Sequence, residues 1–159
     1  MRSPASPVRE AIVEYLVANR VNLTELPRNE TTEVCCRWLE HFAARVKRQE
    51  GSWIYRGFKW HGFSYGIEPC RSGGAAWEAY RDTKGKFYLF DEGENYGYLC
   101  QTLFPFRPDL SHIRADIYLT AVTFSWTMVF THEQPEIGPF FAEADARVIG
   151  VQSSRPVAK

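Results

Sequence analysis

The chain has 159 residues, in which nineteen acidic and nineteen basic side chains cancel. That length suits one domain with one sizeable core, and the balance of charge removes both the broad positive field of a non-specific nucleic-acid binder and the negative field of a DNA mimic. No stretch is long and apolar enough to cross a bilayer, and Arg9, Glu10 and Glu14 interrupt the first twenty residues where a secretory leader needs an apolar run, so a cytoplasmic protein is expected.

Ser6 can cap a helix whose first position is Pro7, with Val8, Ile12, Val13, Leu16 and Val17 as its apolar stripe. Val21 to Pro27 reads as a connection that tucks Leu23 and Leu26 against the core. A second helix, capped by Asn29, Thr31 or Thr32, repeats Val34, Cys35, Trp38, Leu39, Phe42 and Val46 at helical spacing; Arg45, Lys47 and Arg48 suit its C-terminus and Gly51 its end. From Trp53 to Tyr65 the glycine-spaced aromatic pattern predicts a strand, and its Arg56 and Lys59 make it resemble a base-stacking surface in composition only. Ala75–Tyr80 is a short helix. Lys86–Phe90 and Tyr96–Thr102 form a hairpin across Asp91-Glu92-Gly93-Glu94-Asn95, a helical turn follows at Asp109–His112, and Asp116–Thr120 is the fourth strand.

The stretch from Phe124 to Glu133 reads as the central strand, pairing antiparallel with the fourth. Period-two alternation puts Phe124, Trp126, Met128, Phe130 and His132 on one face, and the strand delivers His132 and Glu133 to the rim just before the Gly138-Pro139 turn. The expected fold is α+β: two N-terminal helices cover one face of an antiparallel sheet of about five strands. One domain spans residues 5–144, and residues 145–159 form a flexible tail.

Few residues form a recognisable chemical motif. Cys35, Cys36, Cys70 and Cys100 lack the two-residue gap of a zinc knuckle and read as small thiols in a reducing compartment. No Gly-x-Ser-x-Gly elbow is present, Ser64 has no recognisable base and acid partners, and Gly73-Gly74 alone is not a phosphate loop. His41 reads as a helix-boundary residue. Two imidazoles and a carboxylate are adequate zinc ligands, or a base with its orienting partner, so His61, His132 and Glu133 form one candidate site if the fold brings them together. In the competing reading, His132 and Glu133 hydrogen-bond across the sheet end and hold the Gly138-Pro139 turn.

The runs Trp60-His61-Gly62-Phe63-Ser64-Tyr65, Ser125-Trp126-Thr127 through Thr131-His132-Glu133, and Gly138-Pro139-Phe140 follow patterns of the kind WHxFSY, SWTxxxTHE and GPxF. Over roughly residues 30–142 the chain resembles a small bacterial domain family of unknown function. The resemblance implies similarity to immunity or accessory proteins encoded beside bacterial toxins, and no assigned reaction.

The expectation is therefore a non-enzymatic bacterial protein that binds another protein, a cognate toxin, without a cofactor. Aromatic residues rimmed by charge are typical contact residues, which points to Trp53, Tyr55, Tyr65, Asp91, Glu92, Glu94 and Tyr96. The alternative is a small metal-dependent hydrolase or ligand-binding enzyme using His61, His132 and Glu133. The sequence sets no oligomeric state and no partner identity.

Overall fold

The computed structural model describes residues 6–45 and 58–144. The described elements are α1 (Pro7–Ala18), β1 (Asn22–Glu25), α2 (Arg28–Phe42), α3 (His61–Ser64), β2 (Arg71–Ser72), α4 (Gly73–Arg81), β3 (Phe87–Asp91), β4 (Gly97–Gln101), a 3-10 turn (Ser111–Ile113), β5 (Ile117–Ala121), β6 (Trp126–Phe130) and β7 (Phe140–Glu143). Val46, Lys47, Arg48, Gly51, Trp53, Tyr55, Arg56 and the tail at 145–159 lie outside the described residues.

The fold is α+β, with an antiparallel sheet of seven strands rather than five, in the order β1-β4-β3-β5-β6-β7-β2. Three short strands account for the excess. β1 lies in the expected Val21–Pro27 connection, β2 in a loop, and β7 just beyond the Gly138-Pro139 turn. Of the expected strand Trp53–Tyr65, residues 53–57 lie outside the described residues, and in the described part His61–Ser64 make a helical turn.

The two N-terminal helices take opposite faces of the sheet, not one. α1 places Ile12 and Leu16, and α4 places Ala76 and Tyr80, against Phe87, Leu89, Leu119, Met128 and Phe130. α2 places Val34, Cys35, Trp38 and Phe42, with Phe63 of α3, against Phe90, Tyr118, Val129 and Phe140. Alternating side chains of each strand thus feed two cores, and every residue of β5 and β6 is buried. Buried polar groups on these strands find partners. The Trp38 indole Nε1 donates to Thr127 Oγ1 at 2.8 Å, and Thr127 Oγ1 donates to the Leu119 carbonyl at 2.7 Å.

Helix ends follow local chemistry. Ser6 Oγ accepts the Arg9 amide at 3.1 Å with Pro7 in the first position, as the sequence predicts. In α1 only Ile12 and Leu16 are fully buried; Val8 and Val17 of the expected stripe are exposed. α2 begins at Arg28 without a side-chain cap, one turn before the expected threonines, and Thr31 is instead buried inside the helix. There Gly97 of β4 makes room for it, since a Cβ on Gly97 would sit 2.5 Å from Thr31 Oγ1. α2 ends at Phe42, where the Ala43 amide donates to the Leu39 carbonyl; Ala44 and Arg45 are again helical, with the Arg45 amide donating to the buried Glu68 carboxylate at 2.5 Å, and the expected end near Gly51 lies outside the described residues.

The segment from Phe124 divides in two. Phe124 has φ 58°, a left-handed conformation that breaks the alternation, and β6 starts two residues later. Its ring crosses to the α2 side, where it stacks on His41 at 5.3 Å and lies under the Arg37 guanidinium at 4.3 Å. His41 is buried, with Nδ1 2.8 Å from the Arg37 carbonyl.

Candidate functional site

β6 ends at Phe130, and His132 stands just past it in the turn towards β7. Antiparallel register places Ile117 opposite Phe130, so Asp116, the residue before β5, arrives beside His132. The Asp116 side chain, 11% exposed, accepts from the His132 amide at 3.1 Å and from the Trp60 indole Nε1 at 2.9 Å. His132 Nδ1 lies 2.9 Å from both Asp116 carboxylate oxygens. A carboxylate only accepts, so Nδ1 carries the proton and Nε2 is turned outward, 3.7 Å from Glu133 Oε1.

Aromatic rings build the wall beside this pair. The His132 ring centroid is 4.9 Å from Phe58 and 6.1 Å from Trp60; His61 is 5.4 Å from Phe58, 4.5 Å from Trp60 and 4.9 Å from Tyr65. Trp60 is 1% exposed, whereas Tyr65 at the outer end of the series is 70% exposed. α3 therefore presents a stepped surface that runs from a buried indole to a phenol in water.

Below the wall lies a second acid. The Glu92 carboxylate accepts the Lys59 amide at 2.6 Å and the Tyr118 hydroxyl at 2.5 Å. Burial, reinforced by the negative charge of Asp116 and opposed by Tyr118 and Lys59, pushes the Glu92 carboxyl up to about 7.

The expected site residues are redistributed accordingly. His61, His132 and Glu133 come to one neighbourhood, but His132 turns Nδ1 to Asp116. No group of three or more His, Cys, Asp or Glu side chains among the described residues is arranged to hold a metal ion. The turn after β6 is held by Thr131, whose hydroxyl donates to the Ile137 carbonyl, by Gln134 Oε1, which accepts the Thr131 amide at 3.0 Å, and by the Glu133 carbonyl, which accepts the Ile137 amide at 3.0 Å, while His132 hydrogen-bonds across the sheet end to Asp116.

Among the expected contact residues, Tyr65 is exposed and Tyr96 is buried in the α1 core. Asp91 folds back on its own turn, accepting the Asn95 amide at 2.7 Å and Asn95 Nδ2 at 2.8 Å, while Glu92 points inward and Glu94 takes φ 55°. Trp53 and Tyr55 lie outside the described residues. Sequence reasoning missed Asp116, Tyr118, Lys59 and Trp60 as site residues. Writing the antiparallel register of the last hairpin residue by residue would have found Asp116.

The four cysteines are free thiols, Cys35 and Cys100 buried, Cys36 and Cys70 exposed. Burial raises the Cys35 and Cys70 thiols and pushes Cys100 up to about 12, away from nucleophilic use near neutral pH. Among the described residues no helix is long and apolar enough to cross a membrane.

Fold and site together define an α+β domain in three layers, with an acid–histidine cluster and an aromatic step at one end of its central strands. The chain belongs to the family described as a domain of unknown function, DUF4275, whose model matches residues 10–141. No curated protein and no solved structure matches it significantly.

Proposed function

We propose that this domain is a non-enzymatic protein-binding module of bacterial origin, of the immunity type that occupies a cognate toxin in the cytoplasm. Its docking face is the step formed by His61, Tyr65, His132 and Glu133. The observation that carries this reading is Tyr65: an aromatic side chain 70% in water, its ring tilted against a histidine 4.9 Å away that is itself packed on the Phe58–Trp60 wall. Preorganised tyrosines beside a charged rim are what protein interfaces use as anchors.

Co-expression with the products of neighbouring genes tests the reading. A product that poisons growth alone should be tolerated beside this chain and should co-purify with it. The Tyr65→Ser variant should weaken that complex at least tenfold while melting as the wild type does. If no neighbour binds, or if binding is indifferent to both Tyr65→Ser and Glu133→Lys, the proposal falls.

A second reading has one specific observation in its favour, the Asp116–His132 pair. A carboxylate on Nδ1 fixes the tautomer in which Nε2 can take a proton, the arrangement of a general base. Under that reading the domain is a small hydrolase in which His132 works on a bound water and Asp116 is a positioning residue. Turnover of ester or phosphoester probes lost in His132→Gln would support it over the binding reading.

A further inference from the structure

Phe130 and His132 mark one end of the sheet, opposite Ile117; Ala121, Phe87 and Cys100, paired in turn, mark the other. Just beyond Cys100, two adjacent apolar side chains stand in water: Leu103 is 78% exposed and Phe104 56%. The chain on either side of them is fastened. Before them Cys100 is fully buried; after them Phe106 packs on the α1 core, and the Pro108 carbonyl accepts the Tyr80 hydroxyl at 2.8 Å. Arg107 braces the loop from within, its Nε donating to Thr83 Oγ1 at 2.8 Å and its Nη2 to the Gly85 carbonyl at 3.2 Å, with the guanidinium 5.3 Å from the Phe87 ring and 5.4 Å from Trp126. Leu103 and Phe104 therefore form a tip that its own supports hold outward.

Exposed bases flank this tip. Lys86 precedes Phe87, whose partner on β4 is Cys100, and Lys84 lies in the turn that Arg107 clamps. On the other side, Arg20 stands two residues before Asn22, which pairs with Gln101. Asp82 is the acid of the clamped turn, and Asp109, past Pro108, accepts the Ser111 amide at 2.9 Å. Single exposed apolar groups are ordinary, but a braced adjacent pair among bases is complementary, in charge and in polarity together, to an anionic bilayer. Nucleic acid offers phosphates but nothing that shelters an aliphatic leucine, and a protein would have to supply a pocket and its acids at once.

We propose that this end of the sheet docks on an anionic lipid surface, with Leu103 and Phe104 entering the boundary between headgroups and acyl chains while Arg20, Lys84 and Lys86 lie on the headgroups. The contact is peripheral, so it is reversible and weakens with salt. Partial burial of one leucine or phenylalanine changes partition by about tenfold, and reversing the charge of both lysines changes it by at least about tenfold. The aromatic step that carries Tyr65 and His132 is at the opposite end of the strands, so a docked domain turns that step away from the bilayer and leaves it open.

Flotation of the whole chain with phosphatidylcholine vesicles, with and without one-third phosphatidylserine, tests the surface. The chain should float with the anionic vesicles, stay behind with the neutral ones, and detach as salt rises. Leu103→Ser with Phe104→Ser, and Lys84→Glu with Lys86→Glu, all at exposed positions, should each weaken binding at least about tenfold while melting as the wild type does. Should a variant not fold, the wild type decides: a lipid spin-labelled at its headgroup should broaden the Leu103 and Phe104 amide signals before those of Tyr65 and His132. Failure to float with anionic vesicles, binding indifferent to the Leu103 and Phe104 changes, or broadening led by Tyr65 and His132 overturns the proposal. Capture of single-stranded DNA or an acidic polypeptide in preference to the anionic vesicles overturns it as well.

Discussion

Removing the Asp116 carboxylate is the perturbation whose cost follows most directly from the structure. Three donors converge on it: the Trp60 indole at 2.9 Å, the His132 amide at 3.1 Å and the His132 imidazole at 2.9 Å. In Asp116→Ala the Trp60 N–H, in a residue 1% exposed, is left without an acceptor, at a cost of about 1–3 kcal/mol. His132, 37% exposed, can turn to water and adds about 1 kcal/mol. The sum, about 2–4 kcal/mol, is a large part of the stability of an ordinary domain. Asp116→Asn keeps one oxygen for Trp60 and the His132 amide, so it should cost about 1 kcal/mol. The decisive measurement is a double-mutant cycle by urea unfolding with Trp60→Phe, in which the second mutation removes the stranded donor. The two changes should couple by at least about 1 kcal/mol at unchanged m-value. Additivity within about 0.5 kcal/mol would refute the assignment of Asp116 as the acceptor that seats Trp60.

Gly97→Ala should destabilise by about 2 kcal/mol, because the new Cβ meets Thr31 Oγ1 at 2.5 Å and Cγ2 at 2.9 Å; adding Thr31→Ala should recover part of the loss in thermal melts. Global stability should fall as pH rises from about 4.5 to about 7, since the folded chain holds a proton on Glu92 that the unfolded chain has released. The difference between wild type and Glu92→Gln across that window should be at most ~3 kcal/mol in chemical denaturation. A thiol reagent at pH 7.5 should modify Cys36 first and Cys70 more slowly, and should reach Cys35 and Cys100 only in denaturant, as mass spectrometry of the labelled chain would record.

The sequence disclosed elements whose signal is local. Ser6-Pro7 announces the start of α1, and Asp91-Glu92-Gly93-Glu94-Asn95 sits between two apolar runs that do form the β3–β4 hairpin. What it concealed depends on long-range packing. β5 and β6 carry apolar or satisfied polar side chains on both faces because helices cover both, so alternation could not say which helix lies where. β1 pairs with β4 and β2 with β7 across long separations, and four and two residues of strand leave too little periodicity to detect. The aromatic run ending at Tyr65 looked like a strand because its rings match β propensity. Burial of Trp60 and Phe63 against Phe140 and Tyr118 instead favours a helical turn there. For the site, His132 and Glu133 were legible as polar residues after a buried strand. Asp116 was hidden because a single acid before a strand has no signature until the register is known.

The outermost strands among the described residues have a consequence for recognition. Each flank of the sheet is closed by a stub, Asn22–Glu25 on one side and Arg71–Ser72 on the other. Such short borders offer an incoming polypeptide few main-chain groups to zip onto, so among the described residues the sheet flanks give strand addition or fibril-like stacking only a short template. On these two flanks an associate would find side chains to grip before backbone.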